Sequence, residues 1–167
     1  MRLTKPVLFS AAVIVLAAAC HKGGGGPPAP KPEPAVAMKP LDDAARVYYD
    51  NGIGFADTLR NVVKDTSAFR QFWKRATQGQ PSPPPLPTVD FSKDMVVVVA
   101  GGRMKPGDAI RVDSVGTRGT LMVLVVRTTV ACTPFPSDAF PFEMVKVART
   151  DGQVRFTEHR LRASDCP

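Results

Sequence analysis

Histidine, cysteine and tryptophan are scarce in this sequence, which holds two histidines, three cysteines and one tryptophan among 167 residues. Zinc and iron centres draw most of their ligands from histidine and cysteine, so this scarcity disfavours a metal centre. Aromatic residues make up only 7% of the chain, and its formal net charge of +7 is scattered rather than gathered into a basic run. Because nucleic-acid binding normally uses such runs or aromatic platforms, we predict no nucleic-acid partner, no metal and no other cofactor.

The sequence also lacks the common arrangements of catalytic residues. No serine or cysteine occupies a nucleophile elbow, and the apolar segment 95–100 is not followed by a phosphate-binding Gly-Lys-Ser/Thr motif. We interpret His159 as a solvated residue of the last strand, and the carboxylates Glu143, Glu158 and Asp165 have no evident catalytic partner. We therefore expect this protein not to be an enzyme.

The first nineteen residues have the pattern of a secretory signal peptide, with an apolar region shorter than the ~20 residues of a membrane span. Arg2 and Lys5 precede the apolar region, which ends in three alanines directly before Cys20. This junction resembles the lipobox of bacterial lipoproteins, and the resemblance implies that Cys20 is acylated once residues 1–19 are removed. Leu16 lies one place further from the cysteine than in the usual pattern, so ordinary cleavage nearby is the alternative.

Residues 20–41 are predicted to form a disordered tether, because residues 23–40 are rich in glycine, proline, alanine and lysine. A lipid on Cys20 would hold the folded domain that follows, residues 42–167, near a membrane. His21 directly after the lipid cysteine resembles lipoproteins released toward an outer membrane. We expect a bacterial cell-envelope protein that is lipid-anchored, on the outer membrane, and faces the periplasm or the cell surface.

One amphipathic helix is predicted in the folded domain. Asp65 or Thr66 can cap its start, and Gly79 followed by Pro81 ends it. We interpret Trp73 as a core anchor rather than as a ring that stacks on a ligand. The apolar residues that recur at helical spacing along one face are Phe69, Phe72, Trp73 and Ala76.

Apolar segments after the helix predict the main strands. Residues 95–100 and 121–126 are continuously apolar, as in central strands that are covered on both faces. The Asp-Gly pair at 151–152 indicates a hairpin between strands at 142–148 and 154–159. We predict an α+β fold in which an antiparallel β-meander of four to five strands packs with one main α-helix.

Cys132 and Cys166 are the cysteines of the folded domain. Thiols oxidise in exported proteins and the resulting pairs persist, so we predict a disulfide between them that holds the C-terminal tail beside an earlier strand. A redox-active pair is the competing interpretation, but the close Cys-x-x-Cys spacing of such pairs is missing.

Two loops are the candidate partner-binding elements, residues 103–108 and residues 133–141. Loops on a rigid sheet often carry binding residues, and proline lowers the entropy that a loop loses on binding. Packing of the two phenylalanines onto the core is the alternative to a binding role. The candidate residues are Arg103, Met104, Lys105, Pro106, Phe135 and Phe140.

An ordered series of motifs runs through residues 59–158. It comprises the aromatic pair Phe72-Trp73, a PxVDFS entry to an apolar strand, a glycine-led loop, and a late proline, Pro141. The segments are LPTVDFSKDMVVVVAGGRMKPGDAIRVDSV, GTLMVLVVRTT and PFEMVKVARTDGQVRFTE. This series resembles the C-terminal domain named after PrcB, the lipoprotein subunit of a spirochaete surface protease complex.

The resemblance implies a non-catalytic domain whose founding member stabilises or assembles an exported protease complex. This chain departs from the family at residues 105–108, where Lys-Pro-Gly-Asp stands in place of a Thr-Gly-Gly-Tyr-like tip. If that tip contacts the partner, the partner here differs.

We therefore expect a non-catalytic exported lipoprotein whose domain binds another exported protein, with a protease among the candidate partners. The alternative is a protease inhibitor that inserts the 103–108 loop into an active-site cleft. A hydrolytic enzyme is the least supported hypothesis, because histidine is scarce and a nucleophile motif is missing.

Overall fold

The structure, a computed structural model, describes residues 35–52, 54–132, 136–164 and 166. Residues Ala35–Pro167 form one compact unit. The predicted signal peptide, the lipidation site Cys20 and most of the predicted tether lie outside the described residues, as does Phe135.

The described residues form eight strands in two four-stranded sheets, together with one α-helix and a short 3-10 turn at Asp43–Ala45. Sheet I has the strand order β1-β5-β6-β8, and sheet II has the order β2-β7-β4-β3. The elements are β1 (Met38–Pro40), β2 (Arg46–Asp50), β3 (Thr58–Val63), α1 (Thr66–Ala76), β4 (Asp94–Gly101), β5 (Ala109–Arg118), β6 (Leu121–Val130), β7 (Phe142–Ala148) and β8 (Val154–Arg162). The predicted α+β class is confirmed.

β4 lies at the centre of three layers. Residues 95–100 have no solvent exposure, which confirms that this apolar run is a strand covered on both faces. One face, with Val96 and Val98, packs against the apolar side of α1. The other face, with Met95 and Val97, packs against sheet I. The order of layers is therefore α1, sheet II and sheet I.

α1 follows the sequence prediction closely. The side chain of Asp65 caps the helix by accepting the backbone N–H of Ala68 at 2.8 Å. Trp73 is 7% exposed, its ring meets that of Tyr48 edge-on at 4.9 Å, and its indole N–H donates to the carbonyl of Pro84 at 3.2 Å. Trp73 is thus a core anchor with its one polar group satisfied.

The predicted antiparallel meander of four to five strands is wrong, because among the described strands β4 to β8 the only consecutive ones that pair with each other are β5 and β6, while the others alternate between the two sheets. β7 and β8 do not form a hairpin, because β7 pairs with β2 and β4 in sheet II while β8 pairs in parallel with β6 in sheet I. A two-residue hairpin turn of the Asp-Gly type needs positive φ, and Gly152 does not have it. Gly152 instead passes so close to the carbonyl of Thr120 that a side chain would collide with it.

Burial explains why the chain changes sheets at this point. Residues 142–145 of β7 are fully buried, so β7 must lie inside a sheet that is covered on both faces. β8 carries charged residues at several positions and is mostly exposed, which suits the edge of the other sheet. The burial of the two strands therefore overrode the local turn signal.

β6 also differs from its predicted environment. It forms a hairpin with β5 through Gly119 and Thr120, and Gly119 has a φ of 56°. However, only alternate residues of β6, such as Met122 and Leu124, are buried, while those between them are half-exposed. The apolar run at 121–126 is therefore covered on one face by sheet II and only partly on the other.

Ordered structure begins upstream of Asp42. Met38–Pro40, which we assigned to the tether, form β1 and pair with residues 114–116 of β5. Leu41 packs against the core between the sheets.

Cys132 and Cys166 lie at disulfide distance, with Cα atoms 5.2 Å apart. The reason is topological: β6 ends at Val130 and β8 ends at Arg162, and because these strands run parallel their ends lie side by side. The structure thus confirms that the two cysteines predicted to pair lie close enough to form a disulfide.

Replacing Trp73 with alanine should lower the free energy of unfolding by about 3–5 kcal/mol, because it removes a large side chain from the core between α1 and sheet II. Lys74→Ala, an exposed change on the same helix, is the control and should change it by less than about 0.5 kcal/mol. Denaturant titration measures both, and equal effects would contradict the assignment.

Replacing Cys132 and Cys166 together with serine should lower the free energy of unfolding by about 3–4 kcal/mol, because the bridge closes a loop with a sequence separation of 34. Reducing agent should destabilise the original chain by a similar amount and leave the double variant unchanged. Two free thiols in the intact mass of the exported protein would contradict the bridge.

Candidate binding cleft

An open cleft with a volume of about 550 Å³ lies where β3 begins, β4 ends and the last residues of β6 and β8 meet. We call it the basic cleft, because four cationic side chains and two carboxylates line it. They are Arg60, Arg103, Lys105, Arg160, Asp108 and Asp138.

The two loops that the sequence indicated lie side by side at this cleft. Met104 and Ala139 exchange two backbone hydrogen bonds, with N to O distances of 2.8 Å and 3.0 Å. The loop at 103–108 is thereby fixed to the described part of the second loop, residues 136–141. The isolated pair is a local antiparallel bridge, and nothing in the sequence spacing specified it.

Asp138 joins the two loops by charge. Its carboxylate lies 3.3 Å from the Arg103 guanidinium and 3.1 Å from the Lys105 ammonium. The side chain of Arg103 is 75% exposed and that of Lys105 is 49% exposed, so both cations remain open to solvent. One carboxylate therefore serves two cations, and both retain free hydrogen-bond donors.

The tip of the first loop is a closed turn. Asp108 is 8% exposed, and its carboxylate accepts the backbone N–H of Lys105 at 2.9 Å and that of Ala131 at 2.8 Å. The N–H of Asp108 donates back to the carbonyl of Lys105, and Gly107 takes the positive φ of 93° that the turn requires. The Lys-Pro-Gly-Asp sequence thus ties the loop to the end of β6.

The candidate residues chosen from the sequence differ in accessibility. Arg103 and Lys105 are exposed, whereas Met104 and Pro106 are half-buried. Phe140 is also half-buried, and its backbone N–H donates to the carbonyl of Asn51 at 3.1 Å. The charged members of the set are therefore the most accessible of these residues.

Arg60 was not predicted, and it lies on the wall of the cleft. Its guanidinium binds Glu158 through two hydrogen bonds of 2.7 Å and 2.9 Å, and it also donates to the carbonyls of Leu59 and Ala100. Most of its donors are therefore engaged, and its pair with Glu158 connects β3 to β8. Glu158, which the sequence left without a role, is its partner.

Arg160 follows Glu158 on β8 and was also not predicted. It is exposed, and among the described residues it has no ion pair or hydrogen bond through its side chain. The sequence around Arg160 does not indicate that it lines a cleft, because the cleft forms only when β8 pairs with β6. Arg160 is therefore an available cation of the cleft.

A second group of charges lies between the sheets. Glu143 is fully buried, and its carboxylate accepts from Arg46, from Arg111 at 3.0 Å and from the backbone N–H of Val112 at 2.6 Å. Burial by itself lowers the pKa of Arg46, but the charges and hydrogen bonds of Glu143 and Asp43 together outweigh it, so the pKa of Arg46 is raised. This buried carboxylate is compensated on both oxygens.

Arg111 also stacks on an aromatic ring. Its guanidinium carbon lies 3.4 Å from the ring centroid of Tyr49, whose hydroxyl donates to Asn51 at 2.7 Å. Burial raises the pKa of Tyr49, and the charge of Arg111 opposes part of that rise. The arrangement covers the buried carboxylate and leaves it no open side for a substrate.

Arg60 and Glu143 belong to one row of sheet II. Both are paired with Val99 of β4, one from each side, and the row faces sheet I. Arg60 reaches β8 through Glu158, and Glu143 reaches β5 through the N–H of Val112. The row therefore joins the two sheets at two points and holds the cleft wall in place.

His159 is exposed on β8, as expected from the sequence. Within the described ranges, no group of three or more histidine, cysteine, aspartate or glutamate side chains is placed to hold a metal ion. None of the helices in this part of the chain is long and apolar enough to cross a bilayer.

In comparisons with known proteins, no family model, curated protein or solved structure matched this chain.

Replacing Glu143 with glutamine should lower the free energy of unfolding by about 3–5 kcal/mol, because it leaves Arg46 and Arg111 without their shared buried counter-charge. Thermal or denaturant unfolding measures the loss. Asp43→Asn is the matched control, because Asp43 contacts the same Arg46 but its side chain is 99% exposed. The melting temperature of this variant should equal that of the original protein. Equal melting temperatures for the two variants would contradict the role of Glu143.

Proposed function

We propose that this chain is a non-catalytic, exported, lipid-tethered protein whose domain binds an acidic segment of another exported protein in the basic cleft. The observation that carries the proposal is the shared use of Asp138 by Arg103 and Lys105 on two joined loops. These two cations already bind one carboxylate, that of Asp138, and they keep free hydrogen-bond donors on their exposed sides. They can therefore bind a second carboxylate that a partner supplies.

The cleft is rigid in a way that favours binding. The Met104–Ala139 bridge and the two backbone bonds to Asp108 hold the loops before any partner arrives. A preorganised loop loses less entropy on binding than a free one. The exposed charges at its surface also favour rapid and selective association with an acidic partner.

The cellular setting of the proposal rests on the sequence. The signal-peptide pattern, the lipobox-like junction at Cys20 and the paired Cys132 and Cys166 are consistent with an exported protein held at the bacterial cell envelope by a lipid. The resemblance to the PrcB C-terminal domain favours a protease complex as the assembly that this domain stabilises.

A protease inhibitor acting through the 103–108 loop is the second candidate, favoured by the 75% exposure of Arg103 on a braced loop. Its weakness is the closed turn at 105–108, since an inhibitor loop must present an extended backbone to a protease. A stoichiometric fall in peptidase turnover on addition of the domain would favour the inhibitor, and unchanged turnover in a complex that still forms would favour the binding domain.

Reversing the charge of Arg103 and Lys105 together to glutamate should weaken binding of a fluorescent peptide of alternating glutamate and valine by at least about tenfold, the equivalent of ~1.4 kcal/mol. Fluorescence anisotropy measures the affinity, which should also fall as salt is raised. The matched control reverses Arg70 and Lys74 on α1, which changes the net charge equally outside the cleft. If both double variants bind alike, only overall charge matters and the proposed site is wrong.

Asp138→Asn should strengthen peptide binding at the same site, whereas the Arg103 and Lys105 double variant should weaken it. Removal of the internal carboxylate frees two cations, so the peptide should bind about two- to fivefold more tightly, in keeping with the small worth of exposed ion pairs. Weaker binding would show that Asp138 serves only to position the loops.

Capture from solubilised cell envelope with the original chain and with the Arg103 and Lys105 double variant then identifies the natural partner.

A further inference from the structure

β8 is the open edge of sheet I. Among the described residues it pairs only with β6, over nine consecutive residue pairs from Met122 with Val154 to Val130 with Arg162, and no bulge interrupts the register. The strand has nine residues and contains neither proline nor glycine. At a rise of about 3.3 Å per residue, this edge is about 30 Å long.

The hydrogen bonds at the ends of the ladder show which backbone groups are free. The N–H of Met122 donates to the carbonyl of Gln153, and the N–H of Ala163 donates to the carbonyl of Val130, both at 2.9 Å. In a parallel pair, the residues that bond to the neighbouring strand alternate. Odd-numbered residues of β8 therefore turn their backbone groups toward β6.

The even-numbered residues of β8 turn their N–H and C=O groups toward the open edge. Within the described part of the chain, these groups have no hydrogen-bond partner. The five residues are Val154, Phe156, Glu158, Arg160 and Arg162.

Other edges of the two sheets are less suited to pairing. β1 has three residues and ends in Pro40, which lacks an N–H. β2 has five residues and a register shift between Arg46 and Tyr48. β3 has six residues, and the side chain of Arg60 occupies one of its carbonyls. β8 is longer than any of them and is regular.

The charges on β8 select the kind of strand that can pair with it. Arg155, Arg160 and Arg162 have no side-chain partner among the described residues, and the one acid, Glu158, is engaged by Arg60. A second copy of β8 would bring like charges together, which destabilises cross-strand pairing. The tether of this chain is also poorly suited to pair with β8. Residues 20–34 contain two lysines, several prolines that lack an N–H, and a single acid, Glu33.

We propose that an extended acidic segment of the partner protein adds to sheet I as a further strand along β8. Its backbone pairs with the outward groups of the even-numbered residues, and the carboxylates on one of its faces lie beside Arg160 and Arg162, whose side chains share one face of β8. This inference rests on the proposed function, because it assigns to the same acidic partner a second and longer contact.

The proposed strand would lead directly into the basic cleft. Arg160 belongs both to the edge and to the cleft lining, and Arg103 and Lys105 line the same cleft. Backbone pairing supplies affinity without regard to side chains, and the arginines supply selectivity for acidic segments. The edge and the cleft would then form one continuous surface.

Amide hydrogen exchange followed by NMR on the purified protein tests the pairing directly. In the free protein, the amides of even-numbered β8 residues should exchange faster than those of the odd-numbered residues. The glutamate–valine peptide at ten times its dissociation constant should slow the even-numbered amides by roughly tenfold and leave the odd-numbered ones unchanged. A peptide with lysine in place of glutamate is the control and should protect neither set.

Three results would overturn the inference. Peptide binding that depends on Arg103 and Lys105 but gives no alternating protection on β8 would leave the cleft function standing and remove the added strand. No binding of the acidic peptide at all would count against both proposals. Protection of even-numbered amides that rises with protein concentration, without peptide, would assign the edge to a second copy of the chain.

A second measurement needs no change to the protein. N-methyl groups on alternate peptide residues block the amides on one edge of the added strand, so two peptides methylated on opposite sets present opposite edges. One of them should lose at least about tenfold in affinity while the other binds as before, since a blocked edge cannot form the backbone ladder. Equal affinities for the two peptides would show that charge alone holds the segment.

Discussion

β4 is apolar on both faces, and the complete burial of residues 95–100 determines the arrangement of the layers around it. A strand of this kind needs cover on each side, and the chain has one amphipathic helix and one further sheet to supply it. Val96 and Val98 face α1, while Met95 and Val97 face sheet I. The same demand places β7 beside β4 and sends β8 to the other sheet, where its charges reach solvent.

Charged side chains then set how the two sheets meet. A buried carboxylate accepts only a few positions, because an unpaired charge is strongly destabilising there. Glu143 is satisfied only where Arg46, Arg111 and the N–H of Val112 converge. Arg60 and Glu158 make the corresponding contact on the other side of Val99. Together they favour one register between the sheets.

The candidate surface is a consequence of that register. The basic cleft opens beside the Arg60–Glu158 pair, and the parallel pairing of β8 with β6 brings Arg160 to the same place. The loops at 103–108 and 136–141 join across it through backbone bonds and Asp138. Binding by such a surface depends on fixed donors and charges, in agreement with the non-catalytic role that we propose.

Local features of this protein follow from the sequence alone. The spacing of Phe69 and Trp73 with the cap at Asp65 specified α1, and the unbroken apolar run specified β4, because both signals are short-range. The two loops were identifiable as candidates, and the prediction that the protein is exported led to the predicted pairing of Cys132 with Cys166. Only the tertiary structure decided that β8 joins β6 in parallel, and that Arg60, Arg160 and Asp138 share a cleft. The physical reason is that these contacts join residues far apart in the chain, where burial of β7 outweighs the turn preference of an Asp-Gly pair.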